Sequence, residues 1–127
     1  MLQSATHQNW CPRRGEIYYC DLSNSIGSEQ NGIRPFLILT NNKGNKYAPV
    51  VSGVPITTKK KFIARIHVPI GKEYGLKLNS FALTEHIRSI AKERFFINGE
   101  PIPIGFVPEY KIIDVERAVC FNLGFAI

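Results

Sequence analysis

Apolar residues in this chain come in short runs, each closed by glycine, proline or asparagine, until about the last twenty positions. The chain therefore reads as a β domain with one helix at its end. Glu16-Ile-Tyr-Tyr-Cys-Asp-Leu22 is rich in β-formers and reads as a strand. Ser23 to Gly32 is a Ser/Asn/Gly-rich loop, and Phe36 to Thr40 a short, buried strand. Asn41 to Lys46 carries turn chemistry, and Val50 to Thr57 is the returning strand, bent at Gly53 and Pro55. Phe62 to Ile70 alternates, with Phe62, Ala64, Ile66 and Val68 on one face and Ile63, Arg65 and His67 on the other. Residues 71 to 78 form a Gly/Lys loop, Phe81 to Ile90 holds one or two further strands, and Asn98 to Pro108 is a Pro/Gly-rich connection. Pro108 suits a first helical position and Glu109 the positive end of a helix. Ile112, Val115, Val119 and Leu123 then fall at helical spacing. The expected fold is mainly β with a C-terminal helix, its strands curling into a small, partly closed barrel. Residues 1–12 are a loose leader, with Trp10 ahead of the domain proper, and residues 13–127 are one domain.

Composition bounds the function. The chain has 127 residues and a net charge of +6. Residues 1–99 carry fourteen Lys/Arg against six Asp/Glu, whereas residues 100–127 carry two against four. A basic body with an acidic end suits an anionic partner, of which nucleic acid is the commonest, although basic soluble proteins without one are also common. No apolar run approaches the roughly 18 residues of a membrane span, and the N-terminus lacks the apolar core of a secretory signal. Cys11, Cys20 and Cys120 form no close pair, which speaks against a disulfide framework or a zinc knuckle and for a reduced, cytoplasmic setting. The histidines and cysteines show no metal-ligand spacing. Gly27 to Gly32 lacks the phosphate-loop pattern. Tyr18, Tyr19 and Phe36 can stack on bases, but strand aromatics more often fill a core.

One juxtaposition follows from the hairpin alone. If Phe36–Thr40 pairs with Val50–Thr57, the start of the first strand meets the end of the second. Arg34 and Thr57 then lie together at one rim of the sheet, fed by the 23–32 loop. A guanidinium can fork onto phosphate oxygens and stabilise a pentacoordinate transition state, and a hydroxyl can bond a phosphate or ribose oxygen. The plainer alternative is an arginine paired with Glu29 and a threonine that ends a strand.

Arg14-Gly-Glu-Ile-Tyr-Tyr-Cys-Asp-Leu22, followed by Gly27-Ser-Glu-Gln-Asn-Gly-Ile-Arg-Pro35, resembles the opening of the MazF/PemK toxin family. The likeness continues at Asn41, Asn45, Pro49, Ile56-Thr57, His67-Val68, Asn79-Ser80, Glu85 to Ile90 and Lys92-Glu-Arg94, covering about residues 13 to 95. The resemblance implies an SH3-like barrel of the CcdB/PemK toxin type and an active homodimer. It also implies the toxin of a toxin–antitoxin pair, a sequence-specific endoribonuclease that cuts single-stranded RNA, mostly mRNA, with no metal or other cofactor. Attack by the ribose 2′-oxygen would leave a 2′,3′-cyclic phosphate and a 5′-hydroxyl. By resemblance Arg34 and Thr57 are the catalytic pair, and Ser28, Glu29 and Gln30 belong to the loop that lines the RNA groove. The implied antitoxin binds through an acidic, partly disordered tail and supplies most of the DNA reading when the pair represses its operon.

Physical chemistry limits the roles. Arginine stays protonated, so Arg34 is a poor general base and a good stabiliser of phosphorane charge. Thr57 is a weak base, better suited to positioning, so the base stays unassigned. Where relatives carry Glu-Gln-Ile-Arg, this chain has Glu85-His86-Ile87-Arg88. On a strand, Thr84, His86 and Arg88 share a face, and His86 can contact RNA and move a proton near neutral pH; a half-exposed strand histidine is the alternative. His67 is at least as well explained by packing. Lys59 and Lys60, in the short basic run after Thr57, can hold flanking phosphates, or be a solvated loop. Two other functions fit the same fold: a gyrase-binding toxin like CcdB, and a non-cleaving RNA-binding module. The gyrase binder would use the end of the C-terminal helix, where Cys120 to Ile127 does not look like an exposed hot spot.

Overall fold

In the computed structural model, residues 9–23, 26, 32–58 and 61–125 are described. They form strands β1 (Glu16–Asp21), β2 (Ile33–Ile38), β3 (Val50–Thr57), β4 (His67–Ile70), β5 (Ser80–Leu83), β6 (Arg88–Ala91) and β7 (Gly105–Phe106). Helix α1 (Asn42–Tyr47) joins β2 to β3, and helix α2 (Glu109–Leu123) closes the chain. The strands make a curled antiparallel sheet in the order β4-β5-β3-β2-β1-β7, with β6 on the first half of β3.

Strand β3 causes the curl. On one edge its first half pairs with β6, up to Gly53↔Arg88, and its last two residues pair with β5, at Ile56↔Ala82 and Thr57↔Phe81. Pro55, which has no N–H to donate, falls in the gap between these partners. On the other edge β3 meets β2 at Phe36↔Pro55, Leu37↔Val54 and Ile38↔Gly53.

Alternation gives the sheet two buried faces. One carries Ile17, Leu37, Val54, Ile56, Val68 and Ala82, covered by Ile112, Val115 and Ala118 of α2. The other carries Tyr18, Cys20, Phe36, Ile38, Val51 and Ile90, closed by Phe95. Each fully buried Ile, Leu or Phe contributes about 1.5–3 kcal/mol. Trp10 packs on this second cluster, its ring centroid 5.0 Å from Tyr18 and 4.9 Å from Phe95.

Polar ties lock the periphery. Arg14 donates from Nε to Glu109 (2.8 Å) and from Nη1 to the Leu39 carbonyl (2.6 Å), and it also pairs with Glu116, so α2 is clamped to the sheet. Lys92 is buried, donates from Nζ to the Asn45 carbonyl at 2.7 Å, and has its pKa lowered by that burial.

Three local expectations give way. Asn41–Lys46 becomes α1 rather than a plain turn, because Asn41 caps it, its Oδ1 accepting from the Gly44 N–H at 2.8 Å. The strand expected over 62–70 survives only as His67–Ile70. The Ile63 carbonyl accepts from the N–H groups of Ile66 and His67, and Arg65 takes a φ of 70°, so a turn replaces the alternation and leaves Phe62 and Ile63 exposed. In α2 the buried stripe is Ile112, Val115 and Ala118, while Phe121, Leu123 and Phe125 stay exposed. The helix end is therefore open apolar surface, contrary to the expectation drawn from Cys120–Ile127.

Candidate active site

The β2–β3 ladder ends at Phe36↔Pro55, and Arg34 and Thr57 each lie two residues beyond that pair, at the same end of the two strands. Cross-strand partners share a face and faces alternate, so both side chains belong to the face of Phe36. Arg88, opposite Gly53, joins them there, and Cys20 lies opposite Arg34 on β1. Strands β2 and β3 thus bring Arg34 and Thr57 to one end of the aromatic cluster, with Arg88 placed opposite Gly53, four residues back along β3. Arg34 and Arg88 are half-buried, and Thr57 is only 4% exposed. Burial pushes the Cys20 thiol up to about 12, against the opposing pull of Arg94 and Arg88.

The expected contributors divide into three groups. Arg34 and Thr57 lie at the same end of the β2–β3 pair, and Arg88 lies on the same face opposite Gly53. Ser28, Glu29, Gln30, Lys59 and Lys60 lie outside the described residues; the first three precede Arg34 in the chain and the lysines follow Thr57. His86 is not on a strand: Thr84–His86 is a 3₁₀ turn, so the face-sharing expected of Thr84, His86 and Arg88 is lost. Thr84 is buried and donates to the Ile66 carbonyl at 2.6 Å, which bends the chain out of strand geometry. His86 stays part-exposed, its Nε2 3.9 Å from Glu85 Oε2.

Sequence reasoning missed an internal pair. His67 Nδ1 accepts from the Ile63 N–H at 3.0 Å, which leaves the ring proton on Nε2 to be donated to Glu85 Oε2 at 2.8 Å. Nothing in the local pattern links residues eighteen apart. His67 is 4% exposed, in line with packing rather than RNA contact. Of the candidate stacking rings, Tyr18 and Phe36 are buried and Tyr19 is 42% exposed. Tyr19 walls a groove of about 480 Å³ that also takes in Pro35, Thr58, Lys77 and Ser80, next to the Arg34–Thr57 rim. Among the described residues no three His, Cys, Asp or Glu side chains gather to hold a metal ion, and no helix is long and apolar enough to cross a membrane.

Comparison with known proteins agrees with this architecture. A family model described as PemK-like, MazF-like toxin of type II toxin–antitoxin system matches residues 13–123. An Endoribonuclease MazF from Staphylococcus epidermidis is 38% identical over 115 residues, spanning 88% of this chain and 91% of its own length. The crystal structure of MazF from Deinococcus radiodurans shares the fold with a TM-score of 0.77 at 21% identity, covering 91% of this chain and 99% of that one. An endoribonuclease in complex with its cognate antitoxin, from a mycobacterial species, superposes with a TM-score of 0.72 at 26% identity, over 91% of this chain and 98% of that one. With a family model matching residues 13–123 and a relative 38% identical over most of its length, this chain belongs to the PemK/MazF family of type II toxin–antitoxin toxins.

Proposed function

We propose that this toxin, an endoribonuclease by family, cuts single-stranded RNA through Arg34 and Thr57, with no metal in the chemical step. The observation that supports this is the β2–β3 ladder, which ends at Phe36↔Pro55, two residues from Arg34 on one strand and from Thr57 on the other. Attack of a ribose 2′-oxygen on the adjacent phosphorus closes a 2′,3′-cyclic phosphate and expels the 5′-oxygen, which takes up a proton. Arg34 stabilises the phosphorane charge with a fork of fixed donors and can donate toward the leaving oxygen. Thr57, held by burial, orients the 2′-hydroxyl or a phosphate oxygen. Arg88 takes a neighbouring phosphate; Lys59 and Lys60 hold flanking phosphates; Ser28, Glu29, Gln30 and His86 contact the RNA. The protein works in the cytoplasm as a homodimer. A cognate antitoxin with an acidic tail neutralises it, and contact with DNA comes only through that antitoxin.

The exposed Phe121, Leu123 and Phe125 favour a second function, docking on gyrase through the helix end. That function leaves the Arg34–Thr57 corner without a task. Incubation with a long RNA in excess EDTA separates the two. Discrete cuts bearing cyclic-phosphate and 5′-hydroxyl ends are expected. Intact RNA across a broad set of sequences, from folded protein, would overturn the nuclease function and turn attention to the helix end.

A further inference from the structure

The groove walled by Tyr19 begins where the Arg34–Thr57 rim ends. Pro35 follows Arg34 in the chain, Thr58 follows Thr57, and both line the groove. Tyr19 lies opposite Pro35 in the β1–β2 ladder, one pair along from Cys20↔Arg34. Faces alternate along a strand, so Tyr19 and Pro35 belong to the reverse side of the sheet from Arg34. The groove therefore opens just past the strand ends at which Arg34 and Thr57 lie.

Its far wall is built in advance. Gly75 holds a φ of +102°, and a Cβ there would come within 2.7 Å of the Ile104 carbonyl oxygen and 2.8 Å of the Gly105 Cα, so this loop is pressed against the main chain ahead of β7. Both ends of the loop are tied. Asn79 Oδ1 accepts from the Lys72 N–H at 3.1 Å, and the Ser80 hydroxyl donates to the Leu78 carbonyl at 2.9 Å. The Asn79-Ser80 motif thus holds the wall that faces Tyr19 across the groove.

The lining favours one kind of occupant. Tyr19 and Leu78, 42% and 58% exposed, give it open aromatic and apolar surface. Among the described residues that line it, Lys77 is the one charge, and there is no carboxylate. Two adjoining grooves share Ile104 with it and do carry carboxylates, Glu100 in one and Glu16 and Glu73 in the other. A polyanion leaving the rim is repelled by those two and admitted by this one. Its volume of about 480 Å³ is ample for a single nucleotide.

We infer that Tyr19 is a base-stacking residue of the RNA site: a nucleotide flanking the cut passes over the strand ends, lays its base on the Tyr19 ring beside Leu78, and sets its phosphate against Lys77. This role rests on the nuclease function proposed above. Every base has a face to stack, so the subsite adds affinity and no sequence preference of its own.

The test uses an RNA that the wild-type protein cuts at a mapped bond, made uncleavable by a 2′-deoxy nucleotide at that bond. The fluorescent base 2-aminopurine, which is quenched by stacking, is placed in turn at positions on both sides of the cut. Wild type is expected to quench it strongly at one flanking position. Tyr19→Ile keeps a β-forming apolar side chain without the ring. It should lose that quench and bind about tenfold more weakly, a loss that appears in KM for cleavage rather than in kcat, with the unfolding midpoint nearly unchanged. Tyr19→Trp should keep both quench and affinity. Lys77→Gln should lower the slope of log Kd against log salt concentration by about 0.7, the signature of one single-strand phosphate contact; an unchanged slope would overturn the part given to Lys77. Wild-type quench or wild-type affinity in Tyr19→Ile would overturn the stacking role alone, leave cleavage at Arg34 standing, and assign the groove to an apolar segment of a protein partner. Failure of the wild-type protein to cut any RNA would overturn the nuclease function and the subsite together.

Discussion

Arg34→Ala is expected to lower kcat/KM for RNA cleavage by about 10³-fold, close to 4 kcal/mol of transition-state stabilisation. The guanidinium is a permanently charged donor at the end of the β2–β3 pair where Thr57 also lies. Lysine cannot restore the planar fork, so Arg34→Lys is expected to recover no more than about a tenth of the lost rate. The side chain is half-buried at a strand start and outside both buried clusters. Its truncation therefore leaves no core cavity, and thermal unfolding should move little. Single-turnover cleavage with saturating protein separates lost chemistry from weakened binding. A variant that folds normally and keeps activity within tenfold of wild type would show that charge stabilisation lies elsewhere.

Gly53→Ala should have the largest effect on stability, a loss of about 3 kcal/mol or more. Gly53 sits where β3 is sandwiched between Ile38 of β2 and Arg88 of β6. A methyl group there would overlap the Leu37 carbonyl oxygen and come within 2.7 Å of the Phe36 ring. Neither can yield cheaply, because one is main chain in a paired strand and the other is fully buried. The damage reaches the site as well, since Gly53 is the residue opposite Arg88. Urea unfolding at neutral pH measures the loss. Wild-type stability in the variant would mean that β2 and β3 do not approach as closely as their register implies.

The juxtaposition at the rim is legible in the sequence because two apolar runs flank one short connection, and antiparallel pairing then leaves little choice of register. Turn chemistry at Asn41 is legible only in part, since the same side chain that starts a turn also caps a helix. The stretch 62–70 misleads for a different reason. Alternation marks a strand only when one face is buried, and here Phe62, though its ring lies 5.3 Å from that of Phe81, and Ile63 both stay about half exposed. His86 leaves the strand because Thr84 bonds main chain across the sheet at Ile66, a contact between distant residues that no local pattern announces. The same holds for His67 with Glu85, and for Arg94 with the Asp21 carbonyl. Pairings fixed by hydrogen-bond register can be read from spacing, whereas side-chain ties across the fold cannot.

The most direct measurement is cleavage of an RNA carrying a single 2′-deoxy nucleotide on the 5′ side of a mapped cut, in excess EDTA. With attack by the ribose 2′-oxygen beside Arg34 and Thr57, that one bond should resist cleavage completely while neighbouring sites and binding affinity stay as they were. Cleavage at the substituted bond at the normal rate would mean that another nucleophile, such as water, does the work, and would contradict the chemistry assigned to this rim.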